Sequence, residues 1–210
     1  MSTFGQVVER IREDIDRGSN YDSRIKRAIV EAIVFYKSRR LGFNTKRSRA
    51  LVTSGMEMLA LPTDWVEADF LRLENDGQRL PFDEVTYDWI EQRRDNDNDR
   101  GQPEKYAIQH RELRLWPVPD HSYTLVFSFH YELKDISISA SDGAENAWLT
   151  EAEQLIRTRA KGDILINYID GDEATKKGLL MYSLCEEQYL PPLEAQAARE
   201  QSAGKVQGFL

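Results

Sequence analysis

Cysteine occurs once, at Cys185, so no disulfide can form within the chain, and a reducing cytoplasm is the expected setting. No run of about 18 apolar residues occurs, which argues against a membrane-spanning helix. The first residues, MSTFGQVVERIREDI, place acids at helical spacing and hold no apolar signal core, so no secretion signal is expected. Histidine appears three times, at His110, His121 and His130, with neither the i, i+4 spacing nor the cysteine company of a zinc site. No metal and no cofactor is expected. There is no G-x-S-x-G, no G-x-G-x-x-G and no phosphate loop, so nothing points to nucleophilic catalysis or nucleotide binding.

A basic stripe is lacking too. The formal net charge is −8, unevenly spread. Residues 1–44 hold nine Lys/Arg against six Asp/Glu, residues 45–147 twelve against twenty, and residues 148–210 seven against ten. That distribution argues against a reader of DNA grooves. The one basic run, RRLGFNTKRSR (39–49), can touch phosphates but reads more plainly as a solvated helix end and the polar start of a strand.

What the chain does have is periodicity. Phe4, Val7, Val8, Ile11 and Ile15 predict a first helix, closed by Gly18-Ser19-Asn20. Asp22 or Ser23 is the expected cap of a second, with Ile25, Ala28, Ile29, Ala32, Ile33 and Tyr36 on one face. Lys37, Arg39 and Arg40 fit its last turn, and Gly42 sits just past it. The period then changes to that of strands. VEADFLRLE leads into the tight-turn signal Asn75-Asp76-Gly77, and a short helix is expected in DEVTYDWIEQRR. From Tyr123 to Leu133 every odd position is apolar, which predicts a long antiparallel strand with one face buried and the other mostly wet.

Helical spacing resumes with WLTEAEQLI, where Thr150 and Glu153 have the spacing of a capping box. A fourth helix carries Leu180, Met181, Leu184, Cys185 and Gln188; Pro191-Pro192 is expected to stop it, with EAQAAREQSAG able to continue as a polar helix. The fold class is therefore α+β. Residues 1–44 and 148–205 form a bundle of N- and C-terminal helix pairs, residues 45–147 an inserted antiparallel β module, and residues 206–210 a tail. In the tail, Val206, Phe209 and Leu210 are apolar after a polar, Ala/Gln-rich stretch; such an end either frays or docks on a partner.

Three groupings invite a chemical reading. Asp64, Glu67 and Asp69 near Trp65 suit a sugar-binding patch, or less favourably the carboxylate pair of a cell-wall hydrolase. With 36 acids in the chain, such clusters arise by chance. Cys185 lies on an apolar stripe beside Glu186 and Glu187, the setting of a buried thiol rather than a reactive one. DNDNDRG has the composition of a calcium loop without its twelfth-position Glu, and reads as a solvated loop.

The order of the pieces carries a resemblance. LALPTDW, FLRLENDGQRLPF, TYDWIEQRR, then Gly101, Pro103 and Tyr106–Ile108, then LRLWPVPD and YTLVFSFHYE resemble the β-containing middle of head–tail adaptor proteins of tailed bacteriophages, especially short-tailed ones. The likeness runs over roughly residues 4 to 205, although the turn before LRLW, usually glycine-rich in such proteins, here reads QHRE. It implies a structural protein without enzymatic activity, located in the virion and assembled in the host cytoplasm. It also implies a ring, commonly of twelve copies, beneath the portal protein and above a tail or nozzle protein. Genomic DNA would pass through without sequence-specific contact, and no membrane is involved. The C-terminal residues Lys205, Val206, Phe209 and Leu210 would bind the partner.

Overall fold

Thr3 opens the first helix, α1 (Phe4–Asp14), in a computed structural model that describes residues 2–97 and 99–206. Its hydroxyl accepts from the Gln6 backbone N–H while the Gln6 side chain accepts from the Thr3 N–H, a capping box absent from the sequence-based expectations. A helix start leaves its first N–H groups unpaired. Here those of Phe4 and Gly5 donate to the carbonyls of Ala144 and Asp142, at 2.9 and 2.8 Å. Gly5 permits this approach, because a Cβ there would lie 2.6 Å from Asp142 Cβ. The stretch after the last strand is thus tied to the N-terminus.

The second helix, α2 (Asp22–Tyr36), buries the six expected residues, Ile25 to Tyr36. Its expected side-chain cap is not found. A 3₁₀ turn, Ser19–Tyr21, runs straight into the helix, and Asp22 pairs with Arg12 at 3.3 Å instead. Lys37, Arg39 and Arg40 lie beyond the last helical residue, where Lys37 meets Glu132 at 3.0 Å and Asp135 at 3.5 Å.

The middle of the chain forms β1 (Thr45–Val52), β2 (Met58–Ala60), β3 (Trp65–Asn75), β4 (Gln78–Leu80), β5 (Asp83–Glu84), α3 (Tyr87–Asn96), β6 (Arg100–Gly101), β7 (Lys105–Gln109), β8 (Glu112–Trp116), β9 (Val118–Pro119) and β10 (Tyr123–Tyr131). Two four-stranded sheets, β1-β10-β3-β4 and β2-β8-β7-β5, enclose one core. The pairings within them are antiparallel except for β5 with β7; β6 and β9 form a separate short parallel pair. Tyr123, Leu125, Phe127 and Phe129 point into the core as expected. The opposite face of β10 is not wet, however: Val126 is fully buried and His130 is 2% exposed. β10 is an interior strand, and Val126 stands in register between Arg49 and Arg72, side chains long enough for their aliphatic stems to shield a neighbour. The strand ends at Tyr131, and Leu133 packs with the helical core instead. The β7–β8 hairpin turns on His110 and Arg111, both left-handed at φ 49 and 63, positions where Asn-Gly is the usual choice. The Arg111 guanidinium donates to the Thr63 carbonyl at 2.6 Å.

Helices resume with α4 (Ala147–Glu151), α5 (Glu153–Asn167) and α6 (Asp172–Leu184). Asn146, not Thr150, caps the return: its Oδ1 accepts from the Trp148 N–H at 2.9 Å. The chain breaks at Ala152, so Thr150 and Glu153 fall in different helices and form no capping box. Glu153 is recruited elsewhere. Burial opposes its charge, but hydrogen bonds from Arg10 Nη1 and Ser2 Oγ, both 2.5 Å, outweigh that and hold the carboxyl below its ordinary 4.5. A folded pKa below the unfolded one adds stability above the unfolded value, lost as pH falls through the folded value. The melting temperature is expected to drop on acidification below about pH 4.5, and to drop less in Glu153→Gln. Parallel curves for the two proteins would contradict this.

The fold is α+β, a bundle of N- and C-terminal helices with an inserted antiparallel β module. Residues up to Asn44 group with Glu132–Ser202 in one compact unit, and Thr45–Tyr131 belongs to another. The first unit takes in residues 132–147, which the sequence analysis assigns to the insertion: Ile136 is buried in the helical core, with Leu133, Ala140 and Ala144 packed against it.

Candidate partner-binding site

The path to the C-terminus starts where α5 and α6 touch. A Cβ on Gly178 would lie 2.5 Å from Ile166 Cγ1 and 2.8 Å from the Gly162 carbonyl oxygen; one on Gly162 would meet the Tyr182 ring at 2.9 Å. The two backbones meet because neither residue has a side chain. Small residues therefore make the contact, and Leu180, expected on the apolar stripe, is 56% exposed.

After Leu184 the helix widens into a π turn, Cys185–Tyr189, and continues as α7 (Leu190–Val206). Pro191-Pro192 does not end the helical path. The prolines fall in the first turn of α7, where missing N–H groups cost least, and the π turn absorbs the break in hydrogen-bond register. Side chains pin this turn to the bundle. The Tyr36 hydroxyl donates to Glu186 Oε1 at 2.9 Å, and burial together with that carboxylate raises the phenol pKa strongly. The Arg159 guanidinium sits 3.9 Å from the ring centres of both Phe35 and Tyr182. The Cys185 thiol is fully buried, and burial pushes it up to about 11, so it stays protonated and inert at neutral pH.

The first turns of α7 are docked. Leu190 and Ala197 are buried, Glu194 meets Arg39 at 3.6 Å, and a Cβ on Gly42 would lie 2.6 Å from Gln196 carbons. Of the residues expected to bind a partner, Lys205 and Val206 belong to the last turn of α7. Phe209 and Leu210 lie outside the described residues.

The other chemical candidates fare differently. Trp65 is 8% exposed and stacks on Phe129 at 4.7 Å and 18°, a core contact rather than a sugar platform. Asp69 accepts from Ser128 Oγ at 3.0 Å within the sheet. The His121 ring packs at a 36° tilt against Tyr123, 4.1 Å between centres, and the Tyr123 hydroxyl, donating to Asp120 at 2.7 Å, holds that carboxyl below its ordinary value. His110 is in the hairpin turn and His130 under the sheet, so the three histidines serve separate local roles. Among the described residues no group of three His, Cys, Asp or Glu is placed to hold a metal ion. A cavity of about 370 Å³ beside α1 is lined by Arg12, Asp22, Lys26 and Asp142, which pair with one another at 3.3 and 2.8 Å.

A helical bundle that carries an inserted β sandwich is the frame in which these residues are set. The family model for the SU10 adaptor protein matches residues 2–184, and the chain belongs to that family of phage head–tail adaptors. The match ends at the last residue of α6, so the π turn and α7 lie beyond it. No curated protein matches the chain. Membership makes the protein a structural component of the virion, of a kind that interacts with portal and tail proteins. Among the described residues no helix is long and apolar enough to cross a membrane.

Proposed function

We propose that this adaptor forms a ring, of about twelve copies as the family resemblance implies, beneath the portal. It joins capsid to tail, extends the DNA channel and catalyses nothing. The family match over residues 2–184 carries this reading. Twelve copies at −8 each amount to about −96 formal charges, which favours passage of DNA over adhesion to it. The helical unit supplies the platform. The C-terminal end, through Lys205, Val206, Phe209 and Leu210, reaches the portal, while a tail or nozzle protein binds below. Trp65 in the core removes the observation that favoured a glycan-binding tail component, an exposed aromatic beside acids.

Deleting residues 205–210 tests the placement of the contact. Burying even one apolar side chain of the tail contributes about 1.5–3 kcal/mol, and 1.4 kcal/mol is tenfold in affinity. Portal binding of the truncated chain, read by co-sedimentation, is expected to weaken at least tenfold. Unchanged binding assigns the contact to another surface.

A further inference from the structure

We propose that the two opposite ends of the β sandwich are complementary and dock head to tail between copies of this chain. The inference rests on the ring reading above and names the surfaces that close it. β1 and β2 are edge strands of the two sheets, joined by the short turn around Gly55, so they share one end of the sandwich. β4 and β5 are the opposite edges, joined through Pro81 and Phe82 alone, so they share the other.

The ends differ in charge. On β1, Lys46, Arg47 and Arg49 are exposed, and among the described residues none of them forms a salt bridge. At the far end Asp83, Glu84, Asp88 and Glu104 are exposed. Lys105 neutralises Asp83 at 2.7 Å, and Arg79 is the only other exposed cation on β4 or β5, so this end keeps an acidic excess. A basic edge alone reads as a guard against strand-to-strand aggregation. A guard would not carry large apolar side chains, yet Leu51 on β1 is 61% exposed and Met58 on β2 is 49% exposed. Exposed apolar groups on strands that also carry arginines without a salt bridge among the described residues have the make-up of an interface, although the Arg47 guanidinium lies 5.7 Å from the Phe70 ring centre. Because the complementary patches lie on opposite ends of one molecule, the contact is heterologous, and repetition gives a closed ring or a filament rather than a two-fold dimer.

Two experiments on the full chain decide it. The natural thiol is buried, so Thr53→Cys and Pro81→Cys, both at exposed positions of the two ends, are introduced singly and together. Under mild oxidation the double variant is expected to give a ladder of trimers and larger species, and each single variant nothing beyond dimers. A double variant that stops at dimers overturns the proposal. In parallel, Arg47→Glu/Arg49→Glu and Glu84→Lys/Asp88→Lys are each expected to lower ring assembly on portal at least tenfold, while an equal mixture restores it through alternating copies. A mixture no better than either variant, with both still folded by circular dichroism, also overturns it. A wild-type chain that ignores the portal defeats the ring reading instead, and the disulfide ladder then decides the inference alone.

Discussion

Trp148→Ala is expected to remove about 3–5 kcal/mol of unfolding free energy, the range for deleting a large aromatic from a packed core. Trp148 is fully buried and is the largest side chain to be so. Its ring meets Phe43 edge to face at 5.3 Å, an arrangement that adds to the area term. It stands two residues past the Asn146 cap, so the side chain also fixes where the chain re-enters the bundle. With total stabilities of about 5–15 kcal/mol, the loss takes a large part of the margin. Urea titration followed by helical circular dichroism is the measurement. A fall in midpoint worth less than about 1 kcal/mol would mean that the pocket collapses or that the residue is not central.

The second large effect concerns Gly178, where the sign is diagnostic. An ordinary glycine inside a helix gains up to about 1 kcal/mol when replaced by alanine. Here the new Cβ meets a backbone oxygen at 2.8 Å and Ile166 at 2.5 Å, and a backbone oxygen cannot swing away. Overpacking costs about 1–3 kcal/mol, so Gly178→Ala is expected to destabilise despite its better propensity. Gly178→Val, bulkier and β-branched, is expected to cost more. A stabilised Gly178→Ala protein would show that α5 and α6 are not in backbone contact.

Much of the architecture was legible from spacing. The buried faces of α1 and α2 and the core face of β10 were readable because their apolar side chains recur with a period of 3.6 or 2 in the sequence. What escaped is burial that leaves no apolar period. Val126 stands between Arg49 and Arg72 and His130 between Thr45 and Glu67, neighbours whose polarity reads as solvent-facing, yet both residues are buried. The α5–α6 contact is made by two glycines, which carry no hydrophobic signal, so the stripe was assigned to Leu180 instead. Pro191-Pro192 looked like a stop because proline breaks α-helical hydrogen bonding, and a widened turn before them was not foreseeable. Trp65 beside acids looked like a binding patch, since a strand side chain's face depends on sheet pairing that its neighbours in sequence do not reveal. At the candidate site, the composition of the C-terminal end marked it as unusual, and Phe209 and Leu210 lie outside the described residues.

Assembly on the portal is the central property of the protein, and the most direct measurement is of particles. Purified chain mixed at micromolar concentration with its cognate portal, then imaged by negative stain, is expected to add a ring of density at the narrow end of each portal. Portal particles that look the same with and without the chain, from a preparation shown to be folded, would contradict the account.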